Sequence, residues 1–109
     1  MESIIEIPEN LVQKNKIPER HQRNIKKAYY LLKNEGCKKV YLFGSMVTGK
    51  VHNNSDIDIG IKGIPKGKFI RAHAELLENL DIEFDLVNFD FDYQLFNLLE
   101  RLGEVIEIG

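Results

Sequence analysis

Two aspartates one residue apart, Asp56 and Asp58, lie in the run Asp-Ile-Asp-Ile-Gly-Ile, and a third, Asp85, lies in Ile-Glu-Phe-Asp-Leu-Val. Along a strand, successive side chains alternate between faces. Asp56, Asp58 and Gly60 therefore share one face, and Ile57, Ile59 and Ile61 share the other. Two carboxylates pointing the same way present hard oxygen ligands at a separation that one or two magnesium ions can bridge, and Asp85 can join them from a neighbouring strand. Three carboxylates converging without a cation would repel one another and raise their pKa values, so the trio makes physical sense chiefly around a divalent metal. A solvated strand face is the ordinary alternative for Asp-x-Asp, but Asp is a poor strand former, and two in one β-branched run work against that alternative. Upstream, Gly44 and Ser45 directly follow an apolar run. A glycine there removes a Cβ that would block close approach, and a serine at a helix start sets a hydroxyl beside backbone N–H groups and the positive end of the helix dipole. That combination suits a phosphate, although Ser45 also suits a plain helix cap.

These residues need a scaffold, and the hydrophobic pattern supplies one. From Pro18 the chain turns helical over 19–35, with Ile25, Ala28, Tyr29 and Leu32 on one stripe and Gly36 as a stop. Lys39 to Phe43 is predicted as a short buried strand, followed by a glycine-containing loop with a helical turn over 44–53. The strand Asp56 to Ile61 leads through the Gly- and Pro-bearing loop 62–68 into an amphipathic helix marked by Phe69, Ile70, His73, Leu76, Leu77 and Leu80. Ile82 to Val87 alternates again, with Ile82, Phe84 and Leu86 on one face and Glu83, Asp85 and Val87 on the other. A last helix, Tyr93 to Leu102, turns Leu95, Leu98, Leu99 and Leu102 inward and stops at Gly103, and Val105 to Ile108 closes as a strand. Residues 1–17, with Pro8 and Pro18 limiting any element, are expected to form a packing arm. The order implies one α+β domain over 1–109, a small mixed β-sheet with helices packed on one face.

Composition narrows the function classes. With 109 residues, 43% of them hydrophobic, the chain suffices for one core and not two. A formal net charge of -2 with 29% charged residues speaks against both a disordered chain and a generic grip on nucleic-acid backbone. The single cysteine, Cys37, offers neither a disulfide framework nor a zinc cluster, and no apolar run is long enough to span a bilayer or make a signal peptide. A cytoplasmic location is the resulting expectation.

The run Leu42-Phe43-Gly44-Ser45, then Gly49, then Ser55-Asp56-Ile57-Asp58-Ile59, resembles the signature of the DNA polymerase β-like nucleotidyltransferase superfamily, above all its minimal prokaryotic branch, the MNT proteins. With Asp85 as third carboxylate the resemblance spans residues 40–88. It implies that fold, Asp56 and Asp58 as ligands of two magnesium ions, Asp85 as ligand and base for the acceptor, and Gly44 and Ser45 as binders of the triphosphate of ATP. One departure stands out: many relatives carry an arginine after the Gly-Ser pair, whereas here the residue is Met46. Minimal proteins of this kind resemble the antitoxin half of two-gene modules whose other half is a HEPN-type toxin. Family behaviour then implies transfer of AMP from ATP onto a tyrosine of that toxin. The competing expectations are a catalytically idle antitoxin that acts by binding alone, and a subunit of a drug or RNA nucleotidyltransferase.

Other polar and aromatic groups invite plainer readings. His21, His52 and His73 show no metal spacing, with His52 the one placed to meet a nucleotide. Arg20, Arg23, Lys26, Lys27, Lys33, Lys38 and Lys39, like Lys62, Lys66, Lys68 and Arg71, are expected to be solvated faces. Phe89, Phe91, Tyr93 and Phe96 are expected to close the core.

Overall fold

The structure is a computed structural model that describes residues 17–109; of the expected N-terminal arm, residues 1–16 lie outside the described residues. Helix α1 (Glu19–Asn34) starts after Pro18, which supplies the extended cap and the fixed φ of a helix start. It ends before Gly36, whose φ of 97° reverses the chain. Strand β1 (Lys39–Phe43) follows, then the one-turn helix α2 (Ser45–Thr48), strand β2 (Ile57–Lys62), helix α3 (Phe69–Asn79), strand β3 (Phe84–Asn88), helix α4 (Tyr93–Leu102) and strand β4 (Val105–Glu107). The sheet runs β3-β2-β1-β4. β1 is antiparallel to both its neighbours, while β2 and β3 are parallel, joined by the α3 crossover that parallel neighbours require.

Alternation along the strands separates two apolar clusters. Val40 and Leu42 of β1 and Ile57, Ile59 and Ile61 of β2 face Ile25, Ala28 and Leu32 of α1 and Ala72 and Leu76 of α3, with Ile17 and Met46 completing the larger core. The three β2 isoleucines are essentially fully buried. Each contributes roughly 1.5–3 kcal/mol of transfer free energy, which fixes β2 in the sheet whatever its opposite face carries. On that opposite face Tyr41, Phe89, Phe96 and Leu99 form a smaller aromatic cluster, backed by Phe43, Val87, Leu95 and Val105. The expected mixed sheet is present, and α1 and α3 share one face as anticipated. Helix α4 instead covers part of the other face.

Several apolar positions expected inward lie outward. Leu98 and Leu102 are 45% and 58% exposed, Phe91 is 88% exposed and Tyr93 59%, and Ile70 and Leu77 also face solvent. Each helix meets the sheet along one stripe, Leu95-Phe96-Leu99 in α4 and Phe69-Ala72-Leu76 in α3, with Leu80 just past the end of α3. Among the described residues, apolar side chains outside that stripe have no layer to cover them. The strand starts also differ from expectation. Asp56 precedes β2, and Ile82 and Glu83 precede β3, because the first ladder pair is Ile57 with Phe84. Among the described residues no helix is long and apolar enough to cross a membrane.

Candidate active site

Register brings the acidic residues together. Asp58 of β2 stands beside Phe43 of β1 on one side and Asp85 of β3 on the other. Paired residues in neighbouring strands present their side chains on the same face, so Asp58 and Asp85 project together beside the end of β1 where Gly44 and Ser45 follow. Asp85, rather than the nearby Glu83, holds the place opposite Asp58. Glu83 lies in the preceding turn and uses its carbonyl to accept the Ile57 N–H at 3.1 Å.

The Asp58 carboxyl is half-buried beside that of Asp85. Burial pushes its pKa up to about 6, and the neighbouring carboxylates of Asp85 and then Asp56 push the same way. Asp56 is exposed on the loop before β2, close enough to act on Asp58 through its charge. Among the described residues no three His, Cys, Asp or Glu side chains form a ready-made cage around one ion. The donors nonetheless suit magnesium in kind. All are carboxylate oxygens, and a cation placed among them would oppose the charge crowding that raises the Asp58 pKa.

Gly44 serves this arrangement directly. Its φ of 73° lies in the left-handed region, and a Cβ added there would sit 2.3 Å from Asp58 Oδ2. The space expected to admit a ligand is thus filled by the protein's own carboxylate, which couples the Gly-Ser turn to the aspartate strand. The turn is closed by the Val47 and Thr48 N–H groups, both donating to the Gly44 carbonyl at 3.0 Å, and by Gly49 with φ of 85°. Ser45 is the first residue of α2 and half-buried. Met46, at the position where an arginine was noted in relatives, is fully buried in the larger core. It packs beneath the site rather than facing it.

Two loops feed the site strands, and both are tied to α1. His21 is fully buried, and its Nε2 lies 2.7 Å from the Ser55 carbonyl oxygen. Asn24 donates to Asp81 Oδ1 at 2.7 Å and accepts from the Asp81 N–H at 3.0 Å, while Arg20 bonds the Asp81 carbonyl and carboxylate. The hydrogen bonds from Asn24 and the charge of Arg20 hold the Asp81 carboxyl below its usual range. Nothing in the spacing of His21 singled it out; what could have flagged it is its place on the inward side of the first helical turn, four residues before Ile25. His52 orders its own loop, its Nδ1 accepting from the Asn54 N–H at 3.1 Å, and His73 packs its ring on Phe84 at 5.4 Å. Of the lysines and arginines expected to be solvated, Lys62 lies 3.6 Å over the Phe96 ring and Arg71 pairs with Glu35 at 3.3 Å. Burial pushes the Cys37 thiol up to about 11, which makes it unreactive at neutral pH. A cleft of about 410 Å³ opens between Asn53, Asn54, Ser55 and Asp56, the end of α3 and the residues before β3.

A profile of the family described as Polymerase beta, Nucleotidyltransferase matches residues 23–101, well over half of the chain. A search of curated proteins gives no match. Among solved structures, a chain from the "Crystal structure of the toxin-antitoxin with AMP-PNP" superposes with a TM-score of 0.60 at 23% identity, covering 84% of this chain and 73% of that one. At that identity the likeness bears on the fold.

Proposed function

Since the chain belongs to the polymerase beta nucleotidyltransferase family, we propose that it moves AMP from ATP to a hydroxyl acceptor with magnesium, the acceptor being a tyrosine of a HEPN-type toxin that it neutralises. The observation that carries this reading is the pairing of Asp58 with Asp85 on adjacent parallel strands, beside the turn that opens at Gly44 and Ser45 and within electrostatic reach of Asp56. The toxin partner rests on the motif resemblance to minimal antitoxins and is supported by a structural neighbour that is itself a toxin-antitoxin complex with AMP-PNP.

Asp56, Asp58 and Asp85 would ligate the metal, which supplies acidification of the acceptor hydroxyl and neutralisation of charge on the triphosphate. With its pKa at about 6, Asp58 is mostly ionised at neutral pH and available as a ligand. Gly44 and Ser45 would hold the triphosphate. Asp85, exposed at the strand surface, is placed to receive the acceptor's proton as the acceptor oxygen bonds to the α-phosphorus and pyrophosphate departs. Positioning and charge neutralisation do most of this work, as in phosphoryl and nucleotidyl transfer generally.

The test is α-labelled ATP with magnesium in extract from the protein's own cells, comparing wild type with the Asp56→Asn, Asp58→Asn double variant. Label on a discrete protein band that the variant loses supports the transfer, and the mass of the band identifies the partner. Label on RNA or a small molecule would replace the protein acceptor. Absence of label on anything would favour an antitoxin that acts by binding alone.

A further inference from the structure

Asp58 and Asp85 sit on β2 and β3, whereas Asp56 is delivered by the loop before β2. His52–Ser55 is a tight turn in which the Ser55 N–H donates to the His52 carbonyl at 2.9 Å and Ser55 Oγ accepts the His52 N–H at 2.8 Å. Those bonds hold the turn together without attaching it to anything else. The attachment comes from α1. His21, with no exposed surface, brings Nε2 to 2.7 Å from the carbonyl oxygen of Ser55, whose peptide bond leads directly into Asp56. A carbonyl only accepts, so Nε2 must carry the proton. Nδ1 finds no hydrogen-bond partner among the described residues, which leaves this one bond as the polar purpose of a buried imidazole.

We infer that His21 is a positioning residue: by holding the Ser55 carbonyl it fixes the Ser55–Asp56 peptide and so the place of the Asp56 carboxylate relative to Asp58. A buried histidine used only as filling would be cheaper as leucine or methionine, since an imidazole N–H must be desolvated and a core methionine need not be. The bond is short, involves a rigid ring and acts one residue from a proposed metal ligand. Misplacing a ligand by about an ångström is enough to slow positioned chemistry on the order of a hundredfold.

The activity part of the test rests on the proposed transfer, and the structural part does not. Gln at position 21 carries an amide nitrogen that can take the place of Nε2. Met fills the volume without a donor, and Asn is polar but too short to reach. Transfer from α-labelled ATP is measured for wild type, His21→Gln, His21→Met and His21→Asn, with amide hydrogen exchange followed at Ser55, Asp56 and Ile57 in the same four proteins. The expected result is a 10- to 100-fold loss of kcat in the Met and Asn variants, KM for ATP within about twofold, and recovery to within about fivefold in the Gln variant. Exchange at those three amides should quicken at least tenfold in Met and Asn and remain near wild type in Gln. A folded Met or Asn variant with wild-type kcat and wild-type exchange overturns the inference, as does a Gln variant no better than Met. If Met fails to fold, the Asn and Gln pair decides. If wild type itself transfers no label, the transfer reading falls, and the exchange comparison alone settles whether His21 fixes the loop.

Discussion

A single methyl group at position 44 would meet Asp58 Oδ2 at 2.3 Å, in backbone already at a φ of 73°. Gly103 has nearly the same φ, 69°, and open space where its Cβ would go. Comparing the two substitutions therefore separates backbone strain from the carboxylate contact. Gly103→Ala should cost about 1 kcal/mol in urea unfolding, and Gly44→Ala at least about 1 kcal/mol more. In an Asp58→Ala background the excess at Gly44 should vanish, because the atom it strikes is gone. An equal cost for both glycines would mean that Asp58 is not what keeps position 44 bare. Asp58 also makes stability depend on pH. Its folded pKa of about 6 lies above the ordinary 3.8, so the folded state holds the proton more tightly. The stabilising contribution is complete below about pH 3.8 and is lost as pH rises through about 6. Asp58→Asn keeps the shape and removes the charge. In EDTA it should raise stability at pH 7.5 by about 1 kcal/mol, since solvent screens the half-exposed charge, and leave stability at pH 4 nearly unchanged. The same variant should show no transfer above background, so stability and activity move in opposite directions.

At the scale of elements, the acidic strand is held by what lies behind it and beside it. The Asp-Ile-Asp-Ile alternation made both faces of β2 legible in the sequence, because burying three isoleucines on one side leaves the aspartates no other place. Less legible were the partners on the acidic face. Gly60 looked like part of the acidic face, yet a Cβ there would lie 1.9 Å from the Phe89 ring, which packs flush across β2 where Gly60 leaves room. Phe89 in turn contacts Tyr41, Phe43 and Phe96 with ring centroids 5.1–5.6 Å apart. Gly60→Ala should thus cost about 2–3 kcal/mol by overpacking, with most of it recovered by Phe89→Leu, a coupling readable in a double-mutant cycle of chemical denaturation. The bonds from α1 were illegible for a different reason. Asn24 and Asp81 are far apart in sequence and no local pattern links them, so only the packing of α1 against the end of α3 brings them within 2.7 Å. Asn24→Ala leaves the Asp81 N–H without this partner and should cost about 1–3 kcal/mol, whereas a loss of under half a kcal/mol would show that water replaces the bond freely.

For the molecule as a whole, periodicity told which segments are helices more securely than which side of each faces in. Among the described residues the sheet has four strands and two usable faces, and β4 is only three residues long. The aromatic face is narrow, so α4 meets it through Leu95, Phe96 and Leu99. Leu98 and Leu102, one turn apart, belong to the same apolar pattern in sequence but lie past the edge of that contact. Position in the pattern and burial in the fold separate here because the described residues supply a layer for only one side of the helix. The distinction has a measurable form. Leu99→Ala removes a side chain that is 8% exposed and should lower stability by about 2–4 kcal/mol. The double variant Leu98→Gln, Leu102→Gln alters residues already in water and should change it by no more than about 0.5 kcal/mol each. Thermal unfolding of the isolated protein distinguishes the cases directly. If the double variant fell as far as Leu99→Ala, α4 would be packed by its other stripe, and the aromatic cluster built on Phe96 and Leu99 would have to be redrawn. If it stays near wild type while Leu99→Ala unfolds early, the smaller cluster is what holds α4 across the sheet, on the same face as Asp58 and Asp85.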